Sequence, residues 1–531
     1  MIIHGKNIIG PGLSAAGQET FQAFDPRQGS RLATKFHGAE PAEIEEAGRL
    51  AASAAEEMQD LGADRVADFL ETIGGEILEF GDQLIETADE ETALGKDRLR
   101  GERDRTVNQI KLFAGLVKEG SWVDARIDTQ QRDRKPVPKP DLRRMLQPIG
   151  PVAVFGASNF PLAFSVAGGD TVSAFAARNP VIVKAHPAHP ATSELVGTAI
   201  SKAIEKRTFP AGAFSLLQGF SPGVSLALVM DPNVKAVAFT GSQRAGRALF
   251  DAAAKRDEPI PVFSEMGSVN PVFFLRSALE KADSTAESFY RSVTLGVGQF
   301  CTCPGLAFAT AGPGAENLFC SLAKQFEAGV PATMLNSSIA KGYAEAFDKA
   351  SRINGVQAEV SERMHDANRT EGRPGMLVTD GDTWLKNVEL REEMFGPSTV
   401  VVRCSSEAET LACAKALEGT LTATIHGTPE ELARERELVS ILSRKAGRLI
   451  FNGYPTGVEV GYAMQHGGPY PASTDARFTS VGAAAIYRFA RPVCYQNFPD
   501  PGLPAELQSA NPRGIWRLVD GRLTKEPLKP Q

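Results

Sequence analysis

The sequence predicts an α/β protein built on parallel sheets that carry helices on both faces. Three observations lead there: a mostly helical block near the N-terminus, short apolar runs alternating with helix-compatible segments from Ile149, and the same alternation resuming after residue 265. Repeated β-α units of this kind set successive strands parallel and pack the helices back over them.

Residues 42–118 are dominated by Ala, Glu, Leu and Arg, and Val66, Phe69, Leu70, Ile73, Ile77 and Leu78 recur largely at intervals of three and four. That spacing lines one face of a helix. Residues 123–147 are rich in Arg, Lys, Asp and Pro, which disfavours a packed helix and predicts an exposed extended arm or connector. The alternation then runs from a strand at 152–155, ended by Gly156, to a helix at 162–177, a strand at 181–184 and a helix at 191–206. Strands at 214–217 and 236–239 follow, separated by a helix near 222–230, and Thr240-Gly241-Ser242 opens a further helix. Apolar runs at 272–274 and 399–402 imply a second α/β domain. The polar, Pro-rich stretch from 497 is expected to wrap the surface or to be loosely ordered. There is no tandem repeat and no low-complexity tract.

A chain of 531 residues has room for several domains and large cores, and 42% hydrophobic with 23% charged residues is the balance of a soluble globular protein. The formal charge of −7 is mild for this length, which argues against nucleic acid or an anionic membrane surface as the main partner. Six cysteines form no paired framework, pointing to a reducing compartment. Cys301 and Cys303 form a C-x-C without a second half, so no metal site is expected from spacing. No basic segment followed by a long apolar run opens the chain, and no stretch reaches the length needed to span a bilayer; the expectation is a cytoplasmic protein.

The sharpest chemical signal is Gly296-Val297-Gly298-Gln299-Phe300-Cys301-Thr302-Cys303-Pro304-Gly305. Small residues let a ligand approach the backbone, turn N–H groups can face a developing oxyanion, and a thiolate there is a strong nucleophile. Taken alone, the plainer reading is a buried structural cysteine. Glu265 stands among apolar and small residues in Phe263-Ser264-Glu265-Met266-Gly267, where a carboxyl pKa can rise toward neutrality and suit a general base. Alone, it could equally be a salt-bridged glutamate at a domain junction. Asn159 follows a strand's carboxyl end, where open α/β sheets bind ligands, and its amide could donate to an oxyanion. Alone, an Asn before Phe-Pro is more often a turn residue.

Together, Asn159-Phe160-Pro161, Phe239-Thr240-Gly241-Ser242 with Gly246, Glu265-Met266-Gly267, Gly298-Gln299-Phe300-Cys301 and Glu392-Glu393-Met394-Phe395-Gly396-Pro397 resemble the aldehyde dehydrogenase superfamily across nearly the whole chain, in that family's order and spacing. The resemblance implies the aldehyde dehydrogenase fold: a Rossmann-like cofactor domain (1–122 and 142–262), an α/β catalytic domain (263–479), oligomerisation segments (123–141 and 480–500) and a tail (501–531). It implies Cys301 as nucleophile with Cys303 as neighbour, Asn159 and the Cys301 N–H as oxyanion hole, and Glu265 as activator of the hydrolytic water. For NAD or NADP it implies Lys184 at the adenosine ribose, Ser242 and Gly241 at the pyrophosphate, Glu393 at the nicotinamide ribose and Phe395 beside that ring. A homodimer or homotetramer is the family expectation, with the segment near 480–500 pairing to a partner's arm.

NAD-preferring relatives often carry Lys-Pro-x-Glu where this chain has Lys184-Ala185-His186-Pro187. Losing that glutamate removes repulsion against a 2′-phosphate, which His186 or Lys184 could contact, so NADP use is expected beside NAD. His186 and His189 can also be read as a surface turn with no ligand. Within the superfamily the chain is similar to enzymes that oxidise 2-oxoglutarate semialdehyde, through Gly101-Glu102-Arg103-Asp104-Arg105-Thr106, Gly298-Gln299-Phe300-Cys301-Thr302 and Gln465-His466-Gly467-Gly468-Pro469-Tyr470-Pro471-Ala472-Ser473. A dicarbonyl acid calls for a cation, which Arg103 or Arg105 would supply, and His466 would line the aldehyde mouth. The alternatives are an NADP-dependent long-chain aldehyde dehydrogenase, which would need an apolar tunnel, and a non-catalytic binding protein on the same scaffold. Coenzyme-A-acylating relatives generally lack a glutamate at the Glu265 position.

Overall fold

A computed structural model describes residues 2–366 and 369–528. Two seven-stranded sheets organise it. In the first, strands Val262–Glu265, Ala236–Thr240, Val152–Phe155, Val181–Lys184 and Phe214–Leu217 lie side by side and parallel, and the N-terminal hairpin Asn7–Ile9/Gly12–Ser14 adds antiparallel strands at one edge. The second runs Gln357–Val360, Gly375–Asp380, Ser398–Cys404, Leu306–Thr310, Pro271–Phe274, Thr420–His426 and Ala446–Phe451, with only its first pair antiparallel.

Alternation along the strands of the first sheet makes two cores. Val152, Val154, Val181, Val183, Ala236 and Ala238 face the helices Ala63–Glu79, Lys96–Glu119 and Pro190–Arg207. Ala153, Phe155, Ile182, Val237 and Phe239 face Pro41–Gln59, Pro222–Met230 and Gln243–Ala254. Strands buried on both faces read as continuous apolar runs, which is why they are visible in the sequence.

Several details differ from the sequence expectations. The helix expected at 162–177 is confined to Gly169–Ala176, because 156–168 is drawn into a loop held by buried side chains described below. The boundary drawn at residue 262 falls inside a strand: Val262–Glu265 belongs to the first sheet, and the chain crosses to the second only after Glu265.

The arm is also larger than 123–141. Arg126–Asp128, Leu142–Pro148 and Ala490–Gln496 form a sheet with Arg517–Val519 and Arg522–Thr524. The 490–496 strand thus pairs along its length with the same chain's 142–148. Loose order for the stretch beyond 497 is likewise corrected through residue 528, since it contributes two strands and buries Leu503, Leu507, Ile515 and Arg517. The last three residues of the expected 501–531 tail, and Met1 of the expected first domain, lie outside the described residues. Among the described residues no helix is long and apolar enough to cross a membrane.

Candidate active site

Because the central strands of the first sheet are parallel, their carboxyl ends share one edge. Asn159, Lys184, Gly241, Ser242 and Glu265 all sit on or just beyond that edge, where open α/β sheets bind ligands. The Cys301 loop reaches the same place from the second sheet, entering strand Leu306–Thr310.

That loop is pinned on every side. Gly298 has φ +67°, and a Cβ there would run into the Gly396 carbonyl, so only glycine fits. Val297, at φ +59°, is β-branched in the left-handed region, a strained conformation that the surrounding contacts must enforce. Asn270 donates through Nδ2 to the Cys301 and Cys303 carbonyls, both at 2.9 Å, while its Oδ1 accepts from Ser268 and Thr422. Gln299 accepts from the Leu335 N–H at 2.9 Å, and Asn159 Nδ2 donates to the Gln299 carbonyl at 3.0 Å. Cys303 is buried, with its sulfur 3.5 Å from the Val293 carbonyl, and burial holds its thiol far above the ordinary range. It is a packed neighbour of Cys301.

Cys301 is half-buried, and its Sγ lies 3.6 Å from His466 Nε2. The same nitrogen is 3.0 Å from Glu265 Oε1, and Ser480 Oγ donates to Glu265 Oε2. The sequence placed His466 at the mouth of the site; it lies at the centre, fully buried between thiol and carboxylate. Burial and the adjacent Glu265 carboxylate push the Cys301 thiol well above its usual value. The expectation of a raised Glu265 is corrected: burial alone would lift it, but His466 and Ser480 outweigh that and hold the carboxyl below its ordinary value. Glu265 is an ionised acceptor beside a protonated thiol.

Helix Lys96–Glu119 builds one wall. Arg98, Glu102 and Arg105 follow the four- and three-residue spacing of one helix face. Arg98 Nη2 donates to the Asn159 carbonyl at 2.7 Å, and Glu102 Oε1 accepts from the Leu162 and Ala163 N–H groups at 2.8 and 2.9 Å. The Arg105 guanidinium lies over the Phe164 ring, 5.2 Å from its centroid, and one buried Nη has no hydrogen-bond partner. Burial lowers the Arg105 pKa, and the opposing charges include Glu102, Cys301 and Glu265. Arg105 also lines a cavity of about 330 Å³ between this helix and Val458, Glu459 and Val460.

Arg103, one position past Glu102, is turned away from that face and pairs with exposed Asp104 at 3.1 Å, so the structure removes it from the substrate residues. Arg448, from the opposite edge strand, has a buried Nε without a partner and feels the charge of Cys301. Arg98, Glu102, Arg448 and Ser480 were missed by sequence reasoning. The spacing of 98, 102 and 105 was a usable signal for the first two; Arg448 and Ser480 had none.

The residues expected at the cofactor suit a dinucleotide. Lys184 is buried at its strand end, and burial brings its pKa down to about 8. Ser242 caps helix Gln243–Ala254, accepting from the Ala245 N–H, and with Gly241 remains exposed at that helix's N-terminus, a place suited to phosphate. Glu393 accepts from the Ser268 N–H, its carboxyl raised to about 7 by burial, and shares a narrow cleft with Phe395, Gly298 and Cys303. A Cβ on Gly267 would collide with the Glu393 carboxylate, so this glycine makes room for it. His186 is different: its Nδ1 accepts from the Ala188 N–H, its ring stacks on His189, and burial holds it well below the usual imidazole value. His189 is fully buried against Ser193 and the Ala157 carbonyl, which overturns the surface-turn reading for it.

A half-buried cysteine facing a carboxylate, at the carboxyl edge of a dinucleotide-suited sheet, defines a cofactor-linked thiol site. The aldehyde dehydrogenase family pattern matches residues 13–481, and the chain belongs to that family. Alpha-ketoglutaric semialdehyde dehydrogenase 2 of Azospirillum brasilense is 47% identical over 98% of this chain and 100% of its own length. The alpha-ketoglutaric semialdehyde dehydrogenase of Acinetobacter baylyi is 42% identical over 98% and 99%. Among solved structures, a mutant aldehyde dehydrogenase from Bacillus cereus superposes with a TM-score of 0.79 at 19% identity, covering 93% of this chain and 96% of its own. PnpE in complex with nicotinamide adenine dinucleotide gives 0.77 at 22%, covering 93% and 97%. At those identities the likeness establishes the fold.

Proposed function

We propose that this chain oxidises 2-oxoglutarate semialdehyde (2,5-dioxopentanoate) to 2-oxoglutarate with NAD or NADP, through a thiohemiacetal and then a thioester on Cys301. The observation that carries the chemistry is the contact of Cys301 with His466 at 3.6 Å, backed by Glu265 at 3.0 Å. The names of the two relatives support the substrate.

The thiol proton passes to the adjoining His466–Glu265 pair as sulfur attacks the aldehyde carbon. The carbonyl oxygen becomes an alkoxide, which the Asn159 amide and the Cys301 N–H stabilise; such donors are often worth about 3 to 4 kcal/mol each. A nicotinamide dinucleotide, when bound, supplies the hydride acceptor. Lys184, Ser242, Gly241, Glu393 and Phe395 are the residues that would hold it. Glu265 then takes a proton from water as the water oxygen bonds to the thioester carbon. The C–S bond breaks, the acid leaves, and the Cys301 sulfur recovers its proton.

Arg105 and Arg448 each keep a buried N–H without a partner near Cys301, and these would meet the substrate carboxylate. Two exposed sheet edges, Ala446–Phe451 and Ala490–Gln496, support a homodimer or homotetramer, since unpaired edges invite pairing with another chain. The mild charge and the unpaired cysteines support a cytoplasmic location.

The test is steady-state oxidation of 2-oxoglutarate semialdehyde and of a long-chain aldehyde, each with NAD and NADP. The short oxo-acid should be preferred in kcat/KM. Arg105→Gln should raise its KM about 10- to 100-fold, the worth of a charge-assisted hydrogen bond. Preference for the long-chain aldehyde would move the chain to the NADP-dependent fatty aldehyde class with the Cys301 chemistry intact.

A further inference from the structure

We propose that Cys301, His466 and Glu265 also form a three-ligand capture site for a thiophilic divalent cation of the Zn2+ class, through which such ions reversibly inactivate the protein. Sulfur, imidazole nitrogen and carboxylate oxygen converge so that all three ligand atoms lie within 4.8 Å of one another. A tetrahedral zinc with a Zn–S bond of about 2.3 Å and Zn–N and Zn–O bonds of about 2.0–2.1 Å holds S and N about 3.6 Å apart, and N and O about 3.3 Å apart. The corresponding separations here are 3.6 Å and 3.0 Å. An ion enters between the three groups with small side-chain movements.

A second observation points into the same space. His466 Nε2 meets hydrogen-bond geometry toward Cys301 Sγ and lies 3.0 Å from Glu265 Oε1, so one buried nitrogen is shared between the sulfur and the carboxylate. A cation at the centre would satisfy all three atoms at once. Glu265 is already fixed by Ser480 on its other oxygen, which is how ligating carboxylates are usually oriented. Binding forms an S–metal bond, breaks the S–H bond and releases that proton to solvent; no redox change is involved. The S/N/O set selects Zn2+, Cd2+ or Co2+ over Mg2+ or Ca2+.

His466 Nδ1 is buried and unpartnered, so the imidazole lacks the outer hydrogen bond that ordinarily strengthens a histidine ligand. Capture is therefore reversible by a chelator, and the ion is an inhibitor rather than a resident group. It blocks the sulfur and the water-activating carboxylate together.

Cobalt titration of the full-length protein tests the site directly. One equivalent of Co2+ should produce a thiolate-to-cobalt charge-transfer band together with the visible bands of a four-coordinate ion. Cys301→Ser should abolish the band although the other five cysteines remain. Losing an outer partner of a ligand costs about 10- to 100-fold in affinity, so His466→Asn, which removes a ligand, should weaken binding by at least ~100-fold. In the unaltered protein, Zn2+ should slow iodoacetamide labelling of Cys301, and a chelator should restore both labelling and activity. Absence of the charge-transfer band in the unaltered protein, or equal cobalt affinity in His466→Asn, overturns the proposal. So does labelling at an unchanged rate under saturating Zn2+. None of these outcomes bears on the oxidation itself, which is measured without added metal.

Discussion

Lys184 ends its strand with a buried side chain that pairs with no carboxylate among the described residues, and burial brings its pKa down to about 8. It is charged below that pH and neutral above it. Only the charged form attracts a 2′-phosphate, and a bound phosphate would carry the pKa upward. The KM for NADP should therefore rise as pH passes through and beyond about 8, while the KM for NAD changes little. Lys184→Met should raise the NADP KM by about tenfold or more at pH 7, the worth of one charge-assisted hydrogen bond. A flat NADP KM from pH 7 to about 9.5 would remove Lys184 from the 2′-phosphate. Residue identity alone did not separate Lys184 from His186. In the structure the His186 Nδ1 accepts from the Ala188 N–H within a turn, and burial holds its imidazole well below the usual value.

Helix Lys96–Glu119 acts as a brace for the loop that carries Asn159. Glu102 is its central contact: it accepts two buried backbone N–H groups and lies between Arg98 and Arg105, whose charges oppose the burial that raises its pKa. Glu102→Ala would strand both N–H groups and remove the counter-charge of Arg98 and one of those facing Arg105. Each unsatisfied buried group costs about 1–3 kcal/mol, so a loss of about 2–5 kcal/mol is expected in denaturant unfolding. A drop in kcat should accompany it as Asn159 loses its support. A fall in stability with unchanged kcat would show that the brace serves the fold alone. The helix itself lay within the block 42–118 that composition marks as mostly helical. Its functional face was marked only by the spacing of 98, 102 and 105, because the helical pattern weighs apolar positions and this face is made of charged residues.

The arm sheet joins parts of the chain far apart in sequence: 126–128 and 142–148 with 490–496 and 517–524. Arg143 locks it, binding Asp141, Asp500, Ser509 and the Leu507 carbonyl from a buried position. Arg143→Ala should cost about 2–3 kcal/mol, the scale of charge-assisted bonds to a buried group, and should make 497–528 the first segment cut in limited proteolysis. The site lies elsewhere, so kcat in the folded variant should stay within about twofold. First cleavage outside that segment would show that Arg143 does not hold the tail.

Residue order was enough to specify the alternation of strands and helices and the sheet edge bearing Asn159, Lys184, Ser242 and Glu265. Those properties are local: apolar runs, glycines that admit a close approach, and residues that follow a strand end. Which groups meet was set by the folded arrangement. His466 lies 165 residues from Cys301 and 201 from Glu265, yet one ring nitrogen touches both. The direction of the Glu265 pKa, the withdrawal of Arg103, the arrival of Arg448 and the ordered tail were settled the same way. Coulomb and desolvation energies depend on distance and burial in space, and neither is written in the order of the residues.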